Sequence, residues 1–129
     1  MKSAYHFVRL LVFVLFAAGP LAAAAEGQFL SAIEDLPLMT GLNEVDGGVM
    51  VFDSPAGRIV EALTMGRVSE DAVLTYYKET LPQLGWQETA AGTFSREGEI
   101  LKLEFPPTLA ISGATQSVTS VRFMLSPVQ

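Results

Sequence analysis

The sequence contains no cysteine, and its single histidine, His6, lies within the first 25 residues. The chain therefore has no disulfide and no cysteine nucleophile. Beyond residue 25 it also lacks the side chains for a Cys/His zinc site or a His-based triad. Basic residues are scarce as well, with 8 Lys+Arg against 14 Asp+Glu in 129 residues. Setting aside residues 1–25 removes Lys2 and Arg9 and no acid, so six basic groups face fourteen acidic ones, a net charge of −8. Such a balance speaks against nucleic acid and anionic lipid as partners. The remaining length suffices for one small domain and not two. No glycine-rich phosphate loop follows a strand and opens a helix, and Asp46-Gly47-Gly48 is too poor in oxygen ligands for a calcium loop. Neither a cofactor nor a metal is expected.

The longest apolar stretch is at the start. Lys2 and Arg9 form a basic beginning, Phe7 to Ala18 is apolar except for Arg9, and Gly19-Pro20 breaks any helix. Leu21-Ala22-Ala23-Ala24-Ala25 then offers small-residue cleavage sites ahead of Glu26. This reads as a bacterial secretory signal peptide over residues 1–25, too short for a membrane span of about 20 apolar residues. The product is expected in the periplasm or outside the cell, without an integral membrane segment once the signal is cut. An uncleaved signal acting as an anchor is the alternative. Lacking cysteine, the chain is no lipoprotein.

Residues 26–48 form a lead-in, in which Phe29, Ile33 and Leu36 at i, i+4 and i+7 predict a short amphipathic helix ended by Pro37. The α+β domain is expected over 49–126. Val49–Asp53 and Ile59–Met65 read as a hairpin across Ser54-Pro55-Ala56-Gly57. A three-residue loop would pair Ser54 with Arg58, Val51 with Glu61 and Val49 with Leu63. Both faces of that hairpin are apolar, which predicts cover on both sides, with the lead-in as cover for the second.

Ser69 is a good N-cap for a helix from about Glu70 to Leu84, with Glu70 and Asp71 at the positive end of its dipole. Val73, Tyr77, Leu81 and Leu84 recur at helical spacing, Pro82 is expected to distort the last turn, and Gly85 supplies the stop. Four strands follow. Trp86–Thr89 and Thr93–Arg96 flank an Ala90-Ala91-Gly92 turn. If Glu97-Gly98 is a two-residue loop, Phe94 faces Leu101, Thr93 faces Lys102, and Arg96 faces Glu99 as an ion pair. Leu101, Leu103 and Phe105 make the next inward row, 108–117 a polar loop, and Val118–Leu125 a last strand burying Val121, Phe123 and Leu125. The pattern is α+β: a single antiparallel sheet, β-β-α-β-β-β-β, with one main helix packed on one face.

Tyr77, Leu81, Gly85 and Trp86 spell Y-x3-L-x3-G-W. With a hairpin before it and strands after it, the segment from Val49 to Leu125 resembles a loose class of small exported bacterial α+β domains. The resemblance implies a β-β-α-β-β-β plan and transfers no catalytic residue.

Any catalysis would rest on carboxylates. Asp53 and Glu61 are the weak candidates, since the expected hairpin register puts both on one face. Exposed apolar side chains near Leu38, Met39 and Leu42, together with the aromatic Tyr76, are the candidate binding residues. The function expected is a non-enzymatic periplasmic binding or protein-interaction module whose partner is an envelope protein. A small carboxylate-dependent hydrolase and a stabilising accessory subunit of an envelope complex are the alternatives. The latter would leave Leu36–Leu42 uncovered. Composition leaves oligomeric state and strand order open. N-terminal mass analysis of the exported protein is expected to begin at or near Glu26. Full-length chain in the membrane fraction would contradict cleavage.

Overall fold

The computed structural model describes residues 27–108 and 117–129. The expected signal peptide and most of the 108–117 loop lie outside the described residues. Six strands form one antiparallel sheet: β1 (Leu42–Ser54), β2 (Gly57–Gly66), β3 (Gln87–Ala90), β4 (Thr93–Arg96), β5 (Glu99–Glu104) and β6 (Thr119–Pro127). Their order across the sheet is β1-β2-β6-β5-β4-β3, so β6 closes the gap between the first hairpin and the later meander. Between β2 and β3 runs the helix α1 (Glu70–Thr80), continued by a 3₁₀ turn over Leu81–Leu84. The α+β architecture is the one expected. No helix among the described residues is long and apolar enough to cross a membrane.

The helix follows its local signals. Ser69 caps it, its side chain accepting from the Ala72 amide at 3.1 Å. Val73, Tyr77 and Leu81 are buried against the sheet. Pro82 falls in the 3₁₀ turn, and Gly85 ends it in the left-handed region at φ +89°, donating to the Pro82 carbonyl. Leu84 departs from the expected stripe and is exposed. The 3₁₀ segment winds about three residues per turn instead of about 3.6, which carries Leu84 out of line with Tyr77 and Leu81. Trp86 turns inward directly afterwards and is buried.

On the helix face of the sheet, Val60, Ala62 and Thr64 of β2 lie beside Val121 and Phe123 of β6, Leu101 and Leu103 of β5, and Phe94 of β4. The Tyr77 and Phe123 rings make a T-shaped contact at a centroid distance of 5.2 Å, a favourable aromatic geometry. Thr64, polar and fully buried among them, donates its hydroxyl to the Val121 carbonyl at 3.1 Å.

The β4–β5 register is the expected one, with Phe94 opposite Leu101, Thr93 opposite Lys102 and Arg96 opposite Glu99. Its two-residue loop holds Glu97 at φ +48° and Gly98 at φ +81°. Glu97 accepts that unfavourable conformation because the register keeps Phe94 inside. Arg96, however, does not pair with Glu99. It reaches Asp35 of the lead-in at 2.6 Å, donates to the Leu84 carbonyl at 3.0 Å, and lies over the Trp86 ring at 4.3 Å. Arg96 shares the helix face with Phe94, and that is where Asp35 lies.

The lead-in forms no helix. Its chain doubles back through a bridge between Phe29 and Pro37 and turns at Glu34-Asp35. Leu30 donates to the Leu36 carbonyl and Leu36 to that of Ile33. Leu30, Ile33 and Leu36 are buried, while Phe29 points into solvent. Leu81→Ala is expected to cost about 2–5 kcal/mol of stability, as for other buried leucines. Lys78→Ala, on the exposed side of α1, is expected to cost less than about 0.5 kcal/mol. Equal denaturation midpoints would contradict the assigned helix face.

Candidate interaction surface

The first hairpin closes through a two-residue loop, Pro55-Ala56, with Ser54 opposite Gly57 and the Ser54 hydroxyl donating to the Gly57 carbonyl at 2.7 Å. The register is therefore one residue away from the expected one. Val51 faces Val60, Val49 faces Ala62, Met50 faces Glu61 and Asp53 faces Arg58. Because side chains alternate between faces, this single step divides the expected carboxylate pair. Asp53 takes the side of Val60 and Ala62, and Glu61 takes the other with Met50. The sheet stands between them, and no cleft holds both.

β1 also begins at Leu42 rather than Val49, taking in the end of the segment read as lead-in. Leu42–Glu44 pair in register with Thr64–Gly66. Val45-Asp46-Gly47-Gly48 then bulge out against Leu63 alone before pairing resumes at Val49. Four residues against one is an odd insertion of three, so the strand emerges with its alternation reversed. Leu42 and Glu44 face the helix side before the bulge; Val49, Val51 and Asp53 do so after it.

The lead-in covers only the first half of β1. Both the amide and the hydroxyl of Ser31 donate to one Glu44 carboxylate oxygen, at 3.0 and 2.9 Å. Beyond the bulge, Val49, Met50, Val51 and Phe52 are exposed to 39, 49, 45 and 48 %. Four consecutive apolar residues stand open on both faces of the outermost strand. The two-residue loop makes Ser54 and Gly57 a hydrogen-bonded pair, and such pairs alternate along an antiparallel ladder. Phe52 and Met50 therefore bond to β2. The backbone N–H and C=O groups of Val49, Val51 and Asp53 point away from it, along the sheet edge.

The face of the sheet opposite α1 continues this surface. Met50, Phe52, Ile59, Leu63, Met65, Met124 and Ile100 share it with Glu61, Arg122, Lys102 and Glu104, by their register. Glu104 accepts from Lys102 at 3.1 Å and pairs with Arg122 at 3.6 Å. Among the described residues Thr108 reaches one end of this face, its hydroxyl 3.0 Å from that of the buried Ser120 beside Met65. Among them no layer covers the rest as α1 covers the other face, contrary to the cover expected from the lead-in. A depression of about 200 Å³ lies here between Gly47, Gly48, Met50, Glu61, Leu63 and Arg122. A larger, open depression of about 620 Å³ at the far end of the sheet is lined by Asp35, Gln87, Ser95 and Arg96. The Arg96 charge there is already engaged by Asp35.

The residues expected to bind lie elsewhere. Leu36 and Leu42 are in the core, and Leu38, Met39 and Tyr76 are half-buried against it. Tyr77 fixes this strip. Its hydroxyl donates to the Pro37 carbonyl at 2.8 Å and accepts from the Met39 amide at 3.2 Å. The Leu36–Leu42 strip is thus internal cover for the helix side, and the free apolar surface is on β1. The sequence signal for it was the run Val49-Met50-Val51-Phe52 between Asp46-Gly47-Gly48 and Ser54-Pro55, which reads equally well as a covered strand. Among the described residues, no three Asp or Glu converge as a metal site would require.

Comparisons with protein-family models, with curated proteins and with solved structures find no match to the chain.

Burial pushes the Tyr77 hydroxyl above the ordinary phenol range of about 10. A raised folded-state value keeps the proton on in the native state while the unfolded chain loses it, so this contribution is complete below about pH 10 and is lost as pH rises past it. Tyr77→Phe is expected to cost about 1–3 kcal/mol at neutral pH, by stranding the Pro37 and Met39 backbone groups. It is also expected to flatten the fall in stability above about pH 10. Urea titrations at pH 7 and above pH 10 check both.

Proposed function

We propose that this protein is a non-enzymatic binding or protein-interaction module of the bacterial cell envelope, exported to the periplasm, and that it engages its partner through the β1 edge and the adjoining sheet face. The observation that carries this reading is the exposure of Val49–Phe52 on an edge strand whose outward backbone groups have no partner among the described residues. Edge strands are ordinarily protected by charge, proline, a bulge or a covering segment. Here the bulge and Pro55 stand at the two ends of the exposed stretch and leave its middle unguarded. An extended partner strand adds to such an edge through main-chain hydrogen bonds, while pockets for alternate side chains supply selectivity.

The adjoining face supports the same reading. Three of the chain's five methionines, Met50, Met65 and Met124, stand on it, and the flexible thioether suits a surface that adapts to a partner. Glu61, Lys102, Glu104 and Arg122 provide polar contacts between the apolar residues. Asp53 is on the opposite face, so the carboxylate pair expected from the sequence does not meet here.

A photo-crosslinking amino acid placed at Phe52 in the exported protein is expected to yield a heavier adduct in intact cells. The same probe at Thr75, exposed on α1, is expected to yield none. Equal adducts from both positions, or an adduct from Thr75 alone, would contradict the assignment of the surface.

A further inference from the structure

Granted that the β1 edge is where this chain engages a partner, we infer that the partner strand is the β1 of a second copy, paired antiparallel about Val51. The edge, free among the described residues, is short and bounded on both sides. The bulge over Val45–Gly48 takes the chain out of line before Val49, and Pro55, which has no amide hydrogen, follows Ser54. Between them the outward-facing residues are Val49, Val51 and Asp53, a set symmetric about its centre.

A twofold axis at Val51 maps this set onto itself. Val51 then pairs with the Val51 of the second copy, Val49 with its Asp53, and Asp53 with its Val49, so every outward N–H and C=O finds a partner. Moving the axis by one residue toward the loop brings Val49 against Pro55, which cannot donate. Moving it the same distance toward the bulge brings Asp53 against Gly47, which is out of line with the strand. The Val51 register alone uses the whole edge.

Side chains and charges agree with it. Met50 falls opposite Phe52 of the second copy in a non-hydrogen-bonded pair, where side chains approach closest, and a thioether against a ring is favourable. Both pairs stand on the open face and join the two apolar surfaces into one. Asp53 is the only charge in the stretch. Opposite Val49, it lies about 13 Å along the strand from the second Asp53, beyond a Debye length of about 8 Å at physiological salt. Two strongly acidic chains can thus meet here without like charges facing one another. The edge alone is smaller than a standard protein–protein interface, so the dimer is expected to dissociate on dilution.

The absence of cysteine makes the test direct. Met50→Cys and Phe52→Cys are prepared as separate mature proteins, each checked by circular dichroism against the parent; both sites are half-exposed, so the fold should tolerate them. Each is then oxidised alone and as an equimolar mixture. In the inferred register, residue 50 of one copy lies about 4.5 Å from residue 52 of the other by Cα, within disulfide range. Like positions lie about 7–8 Å apart, at or beyond the limit. The mixture is expected to give a disulfide-linked heterodimer in clear excess over either protein alone. In sedimentation, Val51→Lys, which sets two like charges face to face at the axis, is expected to shift the concentration at which dimer forms upward.

Cross-linking of either single variant as strong as the mixture, or none in any sample, would overturn self-pairing. If cross-linking is absent but the Phe52 photo-adduct contains a different protein, the interaction surface stands and the second copy does not. If both are absent, both conclusions fall.

Discussion

The Tyr77 hydroxyl is the contact on which the arrangement of layers depends. It donates to Pro37 and accepts from Met39, so one buried phenol satisfies two backbone groups of an irregular apolar strip. Its ring makes a T-shaped contact with that of Phe123 at the centre of the sheet. A phenol so placed can hold the strip only on the helix side. Leu30, Ile33, Leu36 and Leu42 follow it into the same core, and Arg96 reaching Asp35 anchors the far turn of the lead-in. The segment that could have covered the second face is spent on the first.

What remains open is organised by β1. Its first residues are tied to the lead-in through Ser31 and Glu44. Past the bulge, the strand continues with reversed alternation and, among the described residues, no cover on either side. The odd number of inserted residues is what turns Met50 and Phe52 toward the open face, beside Ile59, Glu61 and Leu63. Interior and exterior in this protein are therefore set by two local devices, a phenol clamp and a strand bulge.

Much of the fold was legible from residues close together in the chain. Ser69, the Tyr77–Leu81 spacing and Gly85 mark the helix through local hydrogen bonding and backbone geometry. The β4–β5 register was also readable, because Lys102 on one face and Leu101 and Leu103 on the other leave one pairing that buries the right row. That criterion fails for β1 and β2. Both faces of this hairpin are apolar, so a one-residue slip exchanges one apolar row for another, and Pro55-Ala56-Gly57 suits a loop of two or three residues. The slip displaced Glu61 from Asp53 and dissolved the one candidate catalytic pair. In the lead-in, apolar residues at helical spacing form no helix, because the non-local Phe29–Pro37 bridge folds the segment back and leaves no mark in the local pattern.

The central claim is that the outer half of β1 has a free backbone edge at Val49, Val51 and Asp53. Residue-resolved amide hydrogen exchange on dilute protein tests it most directly. The expected result is alternation, with fast exchange at Val49, Val51 and Asp53 and slow exchange at Met50 and Phe52, whose amides bond to β2. Uniform protection through Val49–Asp53 in dilute protein, or alternation of the opposite phase, would contradict it.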